Sequence, residues 1–194
     1  MTSTRKPEHD SESLRDHFLL AMPNLTDGIF AHSITYLCEH NEYGAMGIVI
    51  NQTLDLNLTE ILEHLSIRGD KEMDDTPVMA GGPVHMDRGF ILHRPTTQKW
   101  EASLQVTDEI WLTTSRDILK AIANGSGPEH HLISLGYAGW GAGQLENEIT
   151  ENSWLTLPAD SAIIFDTPCH LRASAAAAQL GVDLNLISGE AGHA

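Results

Sequence analysis

Apolar and polar positions alternate along this chain in short runs, few of them long enough for a long helix. Phe18 to Met22 is an apolar run stopped by Pro23, the pattern of a buried strand. After a loop from Asn24 to Phe30, with turn chemistry at Asp27-Gly28, the segment Ser33 to Glu39 has period two. Ile34, Tyr36 and Cys38 share one face, and Ser33, Thr35, Leu37 and Glu39 the other. The turn His40-Asn41-Glu42-Tyr43-Gly44 returns the chain into Gly47 to Ile50, which is apolar on both faces and belongs in mid-sheet. This pair is a predicted hairpin.

Asn57 and Glu60 have the spacing of a capping box, and Leu58, Ile61, Leu62 and Leu65 supply the buried stripe of the helix that follows. A charged loop, Arg68 to Thr76, leads to Pro77 to Ala80 and the cluster Gly81-Gly82-Pro83. Gly89 to His93 and Glu109 to Thr113 are predicted strands, with a loop from Pro95 to Ser103. Thr114, with Asp117 three residues on, starts a predicted helix through Ile118, Leu119 and Ile122 that Gly125 ends. From Leu132 to Ile149 an apolar run breaks at Gly136, Gly139, Gly141 and Gly143, then restarts as strand, tight turn and helix. That helix, Ala142 to Thr150, turns Leu145 and Ile149 inward and leaves Glu146, Glu148 and Glu151 in water. Trp154 to Leu157 and Ala162 to Phe165 are predicted strands. Thr167 is placed as the cap of a last helix, with Pro168 in its first turn, Ala175 to Ala178 in its body and Gly181 at its end. Seven or so strands and four helices in irregular order give one α+β domain over 14–194, preceded by a polar tail over 1–13.

A length of 194 residues suffices for one core, since such chains bury roughly 70% of their unfolded surface. Charge narrows the functions further. Against 27 acidic residues stand 11 basic ones, a formal net charge of -16. Duplex DNA and anionic lipid repel such a surface, so direct nucleic-acid binding is not expected and a protein partner is. No apolar run approaches the length of a membrane span. The first 13 residues have no apolar signal core. Two cysteines, Cys38 and Cys169, form no disulfide framework. Together these give a cytoplasmic expectation.

Candidate chemistry is sparse. Glycine spacings of 3, 2 and 2 after Gly136 match neither GxGxxG nor GxxxxGK[ST], so no phosphate cradle is marked. The 11 histidines include no HExxH and no partner CxxC, and no GxSxG is present, so no metal, cofactor or catalytic residue is assigned. Trp111, Trp140 and Trp154 read as core rings, lacking basic neighbours for base stacking. Gly81, Gly82, Gly139, Trp140, Gln144 and Glu146 form a candidate ligand or partner surface, with a solvated helix face as the plainer reading of the acids. Cys169, placed second in the last helix, is a candidate redox thiol through the helix dipole, with a small inert thiol as the alternative. Cys38 reads as core. The leading function is a non-enzymatic regulatory protein. The alternatives are an enzyme of unassigned type with a small ligand near the two glycine clusters, and a thiol redox sensor.

Several blocks then carry a resemblance: LLAMPNLTDGIFAHSITYLCEHNEYGAMGIVIN, VMAGGPVHMDRGFILHRP, LGYAGWGAGQLENEI followed by NSWL, IIFD, and a closing GHA. In this order, from Leu14 to Ala194, they resemble the bacterial AlgH/YqgE family. Asp27-Gly28 departs from the family pattern, which has Asp-Pro there. The resemblance implies one domain in which a mixed, split β-sheet curls into a barrel-like shape with about four helices against it, in a cytoplasmic protein. The family name comes from a proposed transcriptional control of alginate production. It brings no agreed catalytic residue or ligand.

Overall fold

The computed structural model describes residues 13–187 apart from Asp27, Lys71, Glu72 and Asp74. The rest of the expected tail, the turn position Asp27 and the closing GHA lie outside these. Among the described residues nine strands form one sheet: β1 (His17–Ala21), β2 (Ile34–Asn41), β3 (Gly44–Val49), β4 (Val78–Ala80), β5 (Val84–His93), β6 (Ser103–Gln105), β7 (Trp111–Thr113), β8 (His131–Gly141) and β9 (Trp154–Pro158). Their order is β6-β7-β5-β8-β3-β2-β1-β9, with β4 off the path. All pairings are antiparallel except β4 with β8.

β8 is the strand at which the sheet splits. One edge pairs with β5. The other is shared: Ile133 to Leu135 pair with β4, and Ala138 to Gly141 pair with β3. Gly81 sits in the fork, donating its N–H to the Leu135 carbonyl (2.8 Å) and accepting from Val49 (2.9 Å). Just ahead of β1, Arg15 donates through Nε to the Val106 carbonyl and through Nη2 to that of Gln105 at the end of β6. This draws the β1 and β6 regions together and completes a curled half-barrel.

The inner face packs Phe18, Leu20, Ile34, Tyr36, Ile48, Leu92 and Leu132 against Ile163, Ile164, Ala176 and Ala177 of α4 (Ser161–Phe165) and α5 (Arg172–Gln179). Alanines let α5 lie close to the sheet, and each fully buried aliphatic side chain contributes about 1.5–3 kcal/mol. The outer face has two coverings. Helices α1 (Leu58–His64) and α2 (Arg116–Ala123) lie over Val78, Ile91 and Ile133, and α3 (Gln144–Thr150) lies over Leu19, Leu37 and Ala138. A short α6 (Leu184–Ile187) completes six α-helices among the described residues, two more than the pattern predicts.

The capping box forms at α1: Glu60 N–H donates to Asn57 Oδ1 (2.8 Å), and Asn57 N–H to Glu60 Oε2 (3.0 Å). Leu65 is the C-cap and only half-buried, so the stripe ends at Leu62. α2 begins later than Thr114, with Ser115 as N-cap; the Ser115 hydroxyl donates to Asp117 instead of capping the helix. Ser103, expected as the end of a loop, opens the strand Ser103–Gln105, and β8 runs through Gly136 and Gly139 before the turn.

Two predictions at the C-terminal end are corrected. Ala162 to Phe165 is helix, not strand: Asp160 accepts the Ala162 N–H (2.9 Å), and this N-cap decides an apolar run that fits either state. Thr167 does not cap a helix. Its hydroxyl donates back to the Ala162 carbonyl (3.1 Å), and a 3-10 turn, Cys169–Leu171, precedes α5.

Candidate functional site

The glycine clusters meet, but as packed backbone. A Cβ on Gly82 would lie 2.0 Å from the Tyr137 carbonyl carbon, and one on Gly136 (φ +74) would lie 2.3 Å from the Gly82 oxygen. The space between Gly82 and Gly136 is thus filled by their own backbones. The contact instead shapes β5. Val84 pairs with Tyr137 and Gly89 with Leu135, so four residues, His85 to Arg88, bulge opposite Gly136. Past this bulge the Tyr137 ring stands beside Phe90 (5.2 Å between centroids) and His85 (6.0 Å).

A second bulge lies across the sheet. Leu37 pairs with Gly47 but Glu39 with Met46, so Cys38 is an extra residue in β2. One extra residue reverses every face beyond it. Glu39, predicted on the face of Leu37, therefore shares the inner face with Met46. The two bulges flank an open groove of about 800 Å³ at this end of the half-barrel. Its lining includes Met46, Phe90, Leu104, Leu112 and Tyr137, and Glu39 is its only charged side chain among the described residues. The Glu39 carboxylate makes no hydrogen bond or ion pair with another described residue. Gly139 and Trp140 border the groove, which leaves Gly81, Gly82, Gln144 and Glu146 outside it.

Gln144 and Glu146 have other tasks. Leu14 N–H donates to His40 Nδ1 (2.8 Å), so the proton of this ring is on Nε2, which donates to Glu146 (2.6 Å). That bond holds the Glu146 carboxyl below its ordinary range, against a smaller opposing effect of burial. Gln144 accepts the Gly141 N–H (3.0 Å) and donates to Glu148 (3.2 Å). Glu148 is not solvated as predicted. Its Oε2 accepts both the Trp140 (2.7 Å) and Trp154 (2.8 Å) indole N–H groups. The two indoles meet edge to face at 6.0 Å, and Phe30 closes the cluster.

Cys169 opens a three-residue 3-10 turn, so it lacks the helix terminus that would stabilise a thiolate. It is half-buried, with Sγ 3.8 Å from Met79 Sδ. Burial pushes its thiol above the ordinary value and outweighs the opposing Arg172 guanidinium. Cys38 is fully buried, and its thiol is pushed up for the same reason. Among the described residues no group of three His, Cys, Asp or Glu is placed to hold a metal ion. No helix there is long and apolar enough to cross a membrane.

Sequence reasoning missed the groove because its residues come from six strands and its acid is placed by a bulge. The signal available was Glu39 breaking the apolar pattern beside the hairpin turn.

Comparison with known proteins places this architecture. The AlgH-like family model matches residues 18–185. A UPF0301 protein of Thioalkalivibrio sulfidiphilus is 57% identical over 184 residues, covering 95% of this chain and 98% of its own. The solution structure of the AlgH protein from Pseudomonas aeruginosa is 51% identical, with a TM-score of 0.78 over 97% of this chain and 100% of that one. A crystal structure of a Corynebacterium diphtheriae protein, 16% identical, shares the fold at a TM-score of 0.68 over 96% and 94%. With the curled split sheet in place and a family match over most of its length, the chain belongs to the AlgH-like family.

Proposed function

We propose that this chain is a non-enzymatic regulatory protein that holds a segment of a protein partner in the groove. The observation that carries this reading is an open apolar groove with one carboxylate, Glu39, and no lysine or arginine in its described lining. The segment it suits has an aliphatic or aromatic residue for the floor and a lysine or arginine beside it for Glu39. A net charge of -16 favours the approach of a basic partner and opposes that of a nucleic-acid backbone. An effect on transcription would then pass through a protein, not through direct contact with DNA. An enzyme working at the glycine clusters has little to support it, because Gly82 and Gly136 are in contact. A redox switch at Cys169 has as little, because burial disfavours the thiolate.

A photo-crosslinking residue at Leu104, in the groove, tests this against one at Glu63, on exposed α1. A basic protein should be captured from the groove position alone, less so as salt rises through roughly 0.05 to 0.5 M. Equal capture from both positions, or retention of duplex DNA with a steep salt dependence, overturns it.

A further inference from the structure

A second cavity lies at the opposite end of β2, where β1, β2 and β9 meet α5 and α6. It holds about 300 Å³, more enclosed than the groove. Leu20, Leu25, Leu155, Ala173 and Leu184 make its lining mainly apolar, and Ser33 stands in its wall. Ser33 is 1% exposed, and its hydroxyl has no hydrogen-bond partner among the described residues. The backbone of Ser33 is satisfied: its N–H donates to Phe30 (3.1 Å), and its carbonyl accepts from Ala21 (3.0 Å). Only the hydroxyl is orphaned. Buried polar atoms are paired in native structures far more often than not, and an apolar cavity with one unpaired polar group is the usual form of a small-molecule site.

Size and charge limit the occupant. An apolar cavity of about 150 Å³ accepts benzene, so this one has space for roughly ten heavy atoms. The chain is strongly anionic, and Asp183 lines an adjoining hollow that shares His32, Ala173 and Leu184 with the cavity. A second carboxylate in this place would meet repulsion from Asp183, with no lysine or arginine in the described lining and His32 as its one basic side chain. We propose that the cavity binds a small neutral molecule, a medium-chain alcohol or ketone, with its oxygen paired to the Ser33 hydroxyl. Ser33 can donate to either group and accept from an alcohol. The site is independent of the groove and stands whether or not a partner occupies it.

The test is titration of the full chain with 1-octanol and with octanoate, followed by backbone amide shifts. Octanol should move the signals of Leu20 to Leu25 and Ala31 to Ser33 saturably, and octanoate should bind about tenfold or more weakly. Ser33→Ala should weaken octanol by about fivefold to tenfold. Ala173→Phe, or Ala173→Leu if the larger ring prevents folding, should abolish binding by filling the space. The proposal is overturned if no saturable shift occurs at these residues or if octanoate binds as well. It is equally overturned if Ser33→Ala binds as tightly as the unsubstituted chain, or if a folded Ala173 variant keeps the site.

Discussion

Two regions built on β8 contrast sharply: the covered outer face under α3 and the open inner groove. Under α3, Glu148 accepts from two indoles, Gln144 ties the helix to β8, and His40 and Glu146 tie it to β2. The carboxylates and amides that make this segment look like a site are thus internal fastenings. In the groove the side chains are mostly apolar, and the single acid has no described partner. Polar groups that satisfy one another hold a fold together; a polar group left open among apolar ones is available to something else.

The largest effect should come from the junction that separates the two regions. Gly82→Ala places a methyl group 2.0 Å from backbone, where no side chain can yield, and should destabilise by about 4 kcal/mol or more in urea unfolding. A loss under about 1 kcal/mol would mean that the fork is not the rigid element described. Glu148→Ala comes next. It leaves two nearly buried indole N–H groups without their acceptor and should cost about 2–4 kcal/mol, whereas Glu148→Gln keeps an acceptor oxygen and should cost less. If both substitutions are neutral, α3 is not fastened in this way.

A smaller effect follows pH. Burial lowers both His93 and His131 below the ordinary histidine value; the bonds of their Nδ1 atoms to the Arg94 and Pro128 carbonyls oppose this only in part. A folded pKa below the unfolded value means that the unfolded chain binds more protons. Their contribution is therefore fully present above about pH 6.5 and is lost as pH falls toward the folded values. The urea midpoint should drop between about pH 8 and pH 5, and His93→Gln should reduce that drop. A midpoint that rises on acidification contradicts the assignment. Smallest of all on stability is Met46→Lys in the groove, expected at about 1 kcal/mol or less because the side chain is only partly buried. It should nevertheless abolish capture at Leu104.

The legible and illegible parts of this fold divide on a physical line. The α1 capping box and the β2–β3 hairpin are local, and each could be read from neighbouring residues. Ala162 to Phe165 could not, because a short apolar run is compatible with strand or helix until Asp160 caps it. The glycines were visible, but their use was not. Gly143 has a positive φ in open space, whereas Gly81, Gly82 and Gly136 are small because another backbone passes against them. Glu148 looked solvated because its indole partners lie 8 residues before it and 6 after, on β8 and β9. The groove was least legible: one added residue at Cys38 moves Glu39 across the sheet, and period-two counting has no sign of that slip.

The most direct measurement is the salt-dependent affinity of the captured basic partner for the unsubstituted chain and for Glu39→Lys. Reversal of that single charge should weaken binding by about tenfold or more and flatten its salt dependence, with the urea midpoint unchanged. An affinity and salt slope identical in the two proteins would contradict the groove as the site of recognition.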